Sequence, residues 1–359
     1  MAHEGTNRGR VLGYLAQVAP GTPLRDGFER ILRGRTGALV VMGHTREVQD
    51  LCTGGFELNV GFTATALREL AKMDGAIVLE SDSHRIVRAG VQLMPAATIP
   101  TAETGTRHRT ADRVARQTGV PVIAVSSSMA TISLYVDAYR QFVEHPDQIL
   151  SRANQALQTL ERYRARLREV TVRLSGLEVQ DQVTVRDVAA VAQRLEMVQR
   201  LDAELAEYVA ELGSEGRLLV LQLHELTTGL PELAELVERD YRPDGNDGGD
   251  GTFGQSRLAD LDSGQLLDLA LVARTVGFAT TDLDVRITPR GYRQVAQIHR
   301  LPRALGERLI EHFGSLQALF AASGSDLQEV EGVGEQRARA IRNGLVRVAE
   351  SAYADPSPD

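Results

Sequence analysis

Two short segments of the chain combine the residue types that handle phosphate groups and metal ions. Asp74-Gly75-Ala76 opens the apolar run GAIVL, so a carboxylate stands beside a residue without a side chain. A bound nucleotide could approach the backbone at this glycine while the acid holds a metal ion or a hydroxyl proton. An Asp-Gly pair is also typical of an ordinary turn, and the tripeptide alone does not distinguish the two.

The second segment is Gly105-Thr106-Arg107-His108-Arg109-Thr110, directly before a predicted helix that begins at Ala111. It brings together two guanidinium groups, an imidazole, hydroxyls and the free N–H groups of a helix start. This combination favours an anion site suited to a polyphosphate. The alternative is a solvated basic turn, which would need neither the hydroxyls nor the preceding glycine.

The elements that must position these segments form an α/β pattern over residues 1–145. Short apolar runs predict strands, helical patterns lie between them, and runs such as VIAV lack polar alternation, so their strands should be covered on both faces. We expect strands at residues 37–42, 75–79, 120–125 and 131–136, and helices at 63–73 and 111–118.

Residues 146–285 are predicted to form a helical bundle or spacer. Apolar residues recur at steps of three or four from Leu150 to Leu174 and from Val188 to Leu212, which indicates two long amphipathic helices. Thr184 and Asp187 resemble a capping box ahead of the second helix. The glycine-rich stretch 241–255 predicts a flexible loop, and its acids fit the spacing of a calcium loop poorly. We assign no chemistry to this region.

Residues 286–359 are predicted to form a DNA-binding domain. The segment Val330–Gly334 fits the helix-hairpin-helix pattern of hydrophobic-x-Gly-hydrophobic-Gly, in which N–H groups at the next helix start face a DNA phosphate. The candidate contacts are Gly332, Val333, Gly334, Arg337 and Arg339, with further charge from Arg342. A glycine-rich helix connection remains the alternative. A degenerate partner over residues 298–305 lacks the first hairpin glycine and suggests a tandem pair.

Composition sets the broad class. The chain is 43% hydrophobic and 25% charged, as in a globular protein. Its net charge is −8, yet residues 286–350 hold ten arginines against seven acids. No apolar segment is long enough for a membrane span, and the single cysteine, Cys52, excludes an intramolecular disulfide or a cysteine metal cluster. We therefore expect a cytoplasmic protein without a membrane partner, and Cys52 as a small buried residue.

The two phosphate-handling segments together resemble the diadenylate cyclase family, whose signatures are a DGA motif and an RHR motif about thirty residues later. KMDGAIVLESDSHRIVRAGVQLMP, IPTAETGTRHRTADRVARQTGVPVIAVS and ILSRANQALQTLERY are also similar to that family. With the helix-hairpin-helix pattern, the chain resembles the members that scan DNA integrity. The expected fold is multidomain: a mixed sheet flanked by helices, a helical spacer and a tandem helix-hairpin-helix domain.

The resemblance implies that two ATP molecules, held on facing subunits, condense to cyclic di-AMP and two pyrophosphates. Asp74 would hold Mg²⁺ or Mn²⁺ and activate the attacking hydroxyl, while Arg107 and Arg109 would stabilise developing charge. The implied ATP-binding residues are Gly75, Ala76, Leu93, Thr106, Arg107, His108, Arg109, Thr110, Ser126 and Ser127. The resemblance also implies a homo-octamer, and binding to duplex or branched DNA that lowers cyclase activity.

One departure from the family keeps a second hypothesis open. After the VIAV strand many relatives carry basic residues behind a serine, whereas this chain continues Ser126-Ser127-Ser128-Met129. Any guanidinium expected from that loop must come from elsewhere, and His84 and Arg85 are not obvious substitutes. The alternative is a DNA-binding architectural protein whose nucleotide domain has become a sensor. A repair nuclease is disfavoured because no acidic metal cluster accompanies the hairpins.

Overall fold

The computed structural model of the protein describes residues 2–242, 253–280 and 282–353. Most of the loop predicted at 241–255 therefore lies outside the described residues. None of the helices in those ranges is both long and apolar enough to cross a membrane. The chain divides into two compact units, of which the first comprises Met1–Gln155 with Glu204–Gln222 and the second Ala156–Ala203 with Leu223–Asp359. The three-domain division at residues 145 and 285 stays a prediction.

The first unit is built on a mixed sheet of eight strands. The strands are β1 Ala38–Met42, β2 Cys52–Thr53, β3 Phe56–Gly61, β4 Ala76–Leu79, β5 Arg85–Leu93, β6 Val122–Ser126, β7 Thr131–Val136 and β8 Tyr139–Val143. Their order in the sheet is β2-β5-β4-β1-β6-β7-β8, with β3 also paired to β5. β1 and β4 are parallel, and the other described pairs are antiparallel. This confirms the expected α/β domain with a mixed sheet.

Helices cover both faces of the sheet, as the unbroken apolar strands predicted. Alternate residues of β1 enter two separate cores: Val40 lies in one cluster and Val41 in the other, and both are fully buried. The first cluster includes side chains of α1 (Ala2–Gln17), α2 (Pro23–Arg33) and α4 (Ala64–Leu70), and the second those of α3 (Arg46–Leu51) and α5 (Thr106–Thr118). The central strands are thereby fixed in register.

The helix expected to begin at Ala111 begins five residues earlier, at Thr106. Gly105 is its N-cap in an extended conformation, and its carbonyl accepts from the backbone N–H of Arg109 at 2.8 Å. The Thr110 hydroxyl donates to the carbonyl of Thr106 at 3.0 Å, which satisfies that hydroxyl inside the first turn. The basic segment therefore forms the first turn of α5 instead of a loop ahead of it.

Residues 204–222 belong to the first unit although they are distant from it in sequence. The backbone N–H of Ser214 donates to the carbonyl of Pro20 at 3.2 Å, and its hydroxyl donates to the same oxygen at 3.1 Å. Gly213 has φ +52°, and a Cβ there would stand 2.5 Å from that oxygen. The return segment is thus held closely against the loop between α1 and α2.

Two long helices, α6 (Pro146–Val179) and α7 (Val185–Leu212), confirm the predicted apolar stripes. Ahead of α7 the carboxylate of Asp187 accepts from the N–H of Thr184 at 3.1 Å and from its hydroxyl at 2.6 Å, which forms one half of the expected capping box. The helices that follow the sheet are α6 Pro146–Val179, α7 Val185–Leu212, α8 Arg217–Thr227, α9 Leu230–Tyr241, α10 Leu269–Val276, α11 Tyr292–Ala296, α12 Arg303–Phe313, α13 Leu316–Ala321, α14 Gly324–Gln328 and α15 Glu335–Tyr353.

The second unit contains a buried charge cluster centred on Glu178, which is fully buried. One oxygen of its carboxylate accepts from the guanidinium of Arg293 and the hydroxyl of Tyr241, and the other accepts from the amide of Gln294. Arg293 is 4% exposed and also donates to the Thr171 carbonyl at 3.3 Å. Every group of this cluster therefore has a partner, as burial of charge requires.

Candidate functional site

The ends of three strands bring the predicted phosphate-handling residues to one edge of the sheet. β1 and β4 run parallel with Val40 opposite Ile77, so Gly37 and Asp74, which precede these two strands, lie at the same edge of the sheet. Asp74 itself lies in a bend two residues before β4 begins, and Gly75 between them has φ +111°.

β6 ends at the same edge from the opposite direction. Ala38 pairs with Val125 in the antiparallel register, and one further step sets Gly37 beside Ser126. β5 also ends there at Leu93, since it runs antiparallel to β4, and the Leu93 side chain is 7% exposed. We call this region, with Asp74, Leu93 and Ser126 at the strand ends, the strand-end site.

Gly75 is required by its conformation and by a neighbouring strand. Its φ is +111°, and a Cβ would stand 2.7 Å from the carbonyl carbon of Gly90. Any side chain would collide with the β5 backbone, so the position accepts only glycine without rearrangement. The neighbouring Asp74 is exposed, and no hydrogen bond or ion pair reaches its carboxylate from the described part of the chain.

The first turn of α5 supplies the cationic half of the strand-end site. Nη1 of Arg107 donates to the Val125 carbonyl at 3.4 Å and lies against Gly37, where a Cβ would stand 2.1 Å from that nitrogen. Arg107 therefore reaches the same edge as Asp74, and a side chain at position 37 would displace it. Arg109 is exposed and has no salt-bridge partner within the described ranges. Gly105 provides no side-chain cap, which leaves the first N–H groups of α5 open to an anion.

His108 differs from the two arginines because its ring is turned inward. It is 8% exposed, and its Nδ1 lies 2.8 Å from the hydroxyl of Tyr135. Burial lowers the pKa of His108 below its ordinary value, the charges of Arg140 and Arg107 lower it further, and Glu103 opposes them. The imidazole is therefore neutral at neutral pH. An ATP contact through this ring stays a prediction.

The turn after β6 carries hydroxyls and no cation. Oγ of Ser126 lies 3.3 Å from Oγ of Ser128 and accepts from the N–H of Met129 at 3.4 Å. Ser127 is exposed, and Met129 is 55% exposed. This turn therefore offers a bound phosphate hydroxyls alone, and a guanidinium must come from elsewhere.

These groups can hold a polyanion together with a divalent cation. One exposed carboxylate lies at the same sheet edge as the Arg107 guanidinium, which matches the charge pattern of a nucleotide triphosphate and its metal ion. In the described ranges no three His, Cys, Asp or Glu side chains converge to hold a metal ion. A cation at Asp74 would therefore need further ligands from the substrate.

A second candidate site lies at the hairpin between α14 and α15. Gly332 has φ +88°, and the N–H of Val333 closes the turn onto the Val330 carbonyl at 3.0 Å. A Cβ at Gly334 would meet nothing within 4 Å, so the start of α15 is sterically open. The side chains of Val330 and Val333 are buried, which anchors the hairpin.

The three arginines after this hairpin differ in the contacts that their guanidinium groups already make. Nη1 of Arg337 donates to the Gly332 carbonyl at 2.7 Å and so helps to hold the turn. Arg339 forms an ion pair with Glu335 one turn earlier in the helix. Arg342 is exposed and has no salt bridge within the described residues. Of the three, Arg342 has the guanidinium with the fewest competing contacts.

The upstream hairpin between α11 and α12 repeats this geometry. The N–H of Leu301 bonds to the Ile298 carbonyl at 3.2 Å, as Val333 does to Val330. Arg300 takes the place of the positive-φ glycine and itself adopts φ +59°. The two hairpins therefore close with the same backbone hydrogen bond, with Arg300 in a conformation that favours glycine, and the tandem helix-hairpin-helix relation stays a prediction.

Comparisons with known proteins agree with these features. The family model for the DisA bacterial checkpoint controller nucleotide-binding region matches residues 25–139, and the model for the DisA linker region matches residues 143–283. The DNA integrity scanning protein DisA of Frankia alni is 59% identical over 95% of this chain and 96% of its own length. That of Streptomyces coelicolor is 58% identical over 97% of this chain and 94% of its own.

A solved structure, that of DacA from Staphylococcus aureus, aligns with 38% of this chain and 88% of that chain. The sequences are 19% identical and the TM-score is 0.29, which is too low to compare folds.

Proposed function

The chain belongs to the family of DNA integrity scanning proteins DisA, and from this membership we propose that it is a diadenylate cyclase that also binds DNA. In this reaction two ATP molecules give cyclic di-AMP and two pyrophosphates. The observation that carries the proposal is the convergence of Asp74 and Arg107 at one sheet edge, although 32 residues separate them in sequence.

The strand-end site would supply the groups that this phosphoryl transfer needs. Each 3′-oxygen forms a bond to the α-phosphorus of the other nucleotide while the bond from that phosphorus to the bridging oxygen breaks and pyrophosphate leaves. Asp74 would draw the proton from the attacking hydroxyl. Arg107 and Arg109, with the N–H groups at the start of α5, would stabilise the negative charge on the phosphates. Gly75 would let the nucleotide lie against the backbone.

A divalent cation, Mg²⁺ or Mn²⁺, fits the donor set. Asp74 offers one exposed carboxylate, and Mg²⁺ is usually held by one or two carboxylates together with substrate phosphates and water. When bound, such an ion would neutralise the triphosphate and make the 3′-hydroxyl more acidic. Asp74 is the residue that would hold it.

The reaction requires a second copy of the strand-end site, because both nucleophile and electrophile are nucleotides. We therefore propose a homo-oligomer in which these sites face each other, and the octamer expected from the family satisfies this. Apolar side chains exposed next to the site support a facing surface: Met73 is 37% exposed, Phe56 62% and Met94 58%. Their burial on association would favour assembly.

The cyclase proposal is tested by incubating the protein with ATP and Mg²⁺ or Mn²⁺ and separating the products. Cyclic di-AMP and pyrophosphate should accumulate, and Asp74→Asn should lower the rate by at least about 100-fold. Asp82→Asn is the matched control, since Asp82 is exposed in the turn at the other end of β4. Full activity in Asp74→Asn would remove this carboxylate from the mechanism. Tight ATP binding without product would favour the alternative of a DNA-binding protein with a nucleotide sensor.

The DNA half of the proposal depends on the open start of α15. Backbone N–H groups after Gly334 would face a DNA phosphate, so binding should be independent of sequence and sensitive to salt. Gly334→Leu fills this open space and should weaken duplex and branched DNA binding without loss of basal cyclase activity. Gly324→Leu at the start of α14 is the control, because a Cβ there also meets nothing within 4 Å. Equal loss in both variants would contradict the assignment.

The two activities are proposed to be coupled, with bound branched DNA lowering the cyclase rate. Titrating a four-way junction into the ATP reaction measures this directly. The fall in rate should disappear in Gly334→Leu and persist in Gly324→Leu. An unchanged cyclase rate at saturating DNA would show that the two activities are not coupled.

A further inference from the structure

A buried network surrounds the imidazole of His108 in α5. The hydroxyl of Tyr135, from β7, lies 2.8 Å from Nδ1 of His108, and the Tyr135 side chain is fully buried. Burial raises the pKa of Tyr135 well above its ordinary value, so the hydroxyl stays protonated. A neutral tyrosine and a neutral histidine are therefore joined by a hydrogen bond inside the core beneath α5, and the Glu103 carboxylate beside the same hydroxyl raises the Tyr135 pKa further.

Two charged residues connect this pair to the chain segment that enters α5. Nη1 of Arg140, on β8, contacts both carboxylate oxygens of Glu103 at 2.8 and 3.1 Å. Its guanidinium also lies 5.8 Å from the centre of the Tyr135 ring and donates to the Ser133 hydroxyl at 3.4 Å. Glu103 is two residues before the N-cap Gly105. The entrance to α5 is thus tied to β8, while its first turn is tied to β7.

The position of His108 in the first turn of α5 connects this network to the arginines of the strand-end site. It stands between Arg107 and Arg109, whose side chains supply the positive charge of the strand-end site. Because one helical turn holds all three residues, a fixed imidazole fixes the direction in which both guanidinium groups leave the helix. The nearby acid Asp112 is already paired with Arg116 at 2.7 Å and does not compete for the ring.

We propose that Tyr135, supported by Glu103 and Arg140, is a positioning residue for the triphosphate of ATP. It holds the imidazole of His108 and thereby presents the first turn of α5 to the phosphates. The inference rests on the proposed function and adds to it a residue that lies outside the DGA and RHR motifs. In this arrangement the ring of His108 acts through the helix and not as a phosphate ligand.

The test removes only the hydroxyl, by Tyr135→Phe, and measures the dissociation constant for ATP together with KM and kcat. Loss of the hydroxyl's contacts with His108 and Glu103 should weaken ATP affinity and raise KM about tenfold, with a smaller change in kcat. Tyr139→Phe is the control, because Tyr139 is 48% exposed on the neighbouring strand β8. A purely structural hydroxyl would lower the unfolding midpoint and leave KM unchanged well below that temperature, which would overturn the proposal.

A double-mutant cycle with His108→Asn tests whether the hydroxyl acts through the histidine. If it does, the double variant should bind ATP no more weakly than His108→Asn alone. Independent, additive losses would show that Tyr135 does not act through His108 and would overturn the inference. Should Tyr135→Phe not fold, Arg140→Gln frees Glu103 without altering the buried ring and should raise KM in the same way; an unchanged KM counts against the network.

The ATP dissociation constant separates this inference from the proposed function. A wild-type protein that binds ATP without forming cyclic di-AMP contradicts the cyclase, while the affinity loss in Tyr135→Phe still supports the network. A wild-type protein that forms product, with Tyr135→Phe equal to it in affinity and KM, contradicts the network alone.

Discussion

The charged residues of the strand-end site and those of the buried cluster around Glu178 are arranged in opposite ways. Asp74 and Arg109 are exposed and have no ion-pair partner among the described residues. Glu178 and Arg293 are buried and fully hydrogen-bonded to each other and to their neighbours. A hydrated charge without a partner costs the fold little and is free to bind a ligand, whereas a buried charge must be paired. The first arrangement indicates chemistry and the second indicates stability.

The largest effect is expected in the buried cluster. Arg293→Met leaves the carboxylate of Glu178 without its countercharge and should lower the free energy of unfolding by about 3–5 kcal/mol. Denaturant unfolding followed by circular dichroism measures this. The double variant Glu178→Leu with Arg293→Met removes both charges and should recover much of the loss. A cost below about 1 kcal/mol for Arg293→Met would mean that the pair is not buried as described.

At the strand-end site we expect a large loss of activity and little loss of stability. Arg109→Gln should reduce cyclic di-AMP formation by about 100-fold, because one donor to the developing phosphate charge is lost. The free energy of unfolding should change by less than about 0.5 kcal/mol, since the side chain is exposed. Arg46→Gln, an exposed arginine after the other end of β1, is the control for both measurements. A large drop in the free energy of unfolding with retained cyclase activity would contradict the proposed contrast between the strand-end site and the buried cluster.

The same reasoning ranks the arginines of α15. Arg342, without a salt bridge among the described residues, should contribute more to DNA binding than Arg339, which is paired with Glu335. Arg342→Gln should weaken binding several-fold and reduce the slope of log affinity against log salt by about 0.9 for one lost phosphate contact. Arg339→Gln should change the DNA affinity and the salt slope less. Fluorescence anisotropy at several salt concentrations tests this order, and an inverted order would show that pairing does not predict availability.

The smallest effect concerns pH. Burial chiefly lowers the pKa of His108 below its ordinary value of 6.5, so the folded protein binds fewer protons than the unfolded chain in the window below that value. The stability contribution is therefore complete above pH 6.5 and is lost as the pH falls through the lowered pKa. Unfolding midpoints measured from pH 7.5 to 5 should fall less steeply in His108→Asn than in the wild type. Equal pH dependence of the unfolding midpoint in the two proteins would contradict the burial of the His108 imidazole.

The sequence predicted best those elements whose burial is uniform. The continuous apolar runs identified β1, β4, β6 and β7 to within two residues, and the apolar stripes identified α6 and α7. The edge strands β3 and β8 were missed because most of their residues are exposed and carry little apolar signal. β5 was missed because Arg88 and Gly90 interrupt its alternation, and Gly90 adopts φ +65° there. Short-range patterns do not register such irregular strands.

The sequence predicted the motifs of the site but not the distant residues that contact them. Local spacing singled out Asp74 and Arg107, but nothing local shows that Gly37 lies against the Arg107 guanidinium, since the contact spans 70 residues. Tyr135 carried no signal either, because a tyrosine in an apolar strand is an ordinary core residue until its hydroxyl finds a partner. The start of α5 was placed too late because threonine and arginine in a first turn resemble a polar loop.

The first unit is also interrupted in sequence, and this matters for how the chain is made. Strand pairing in the sheet is complete with β8 at Val143, yet Ser214 supplies hydrogen bonds to Pro20 that close the loop between α1 and α2. At a synthesis rate of about 5–20 residues per second, the chain from Val143 to Ser214 takes several seconds to be made, and until then the loop between α1 and α2 lacks these hydrogen bonds. A chain truncated after residue 145 would remain permanently at this stage.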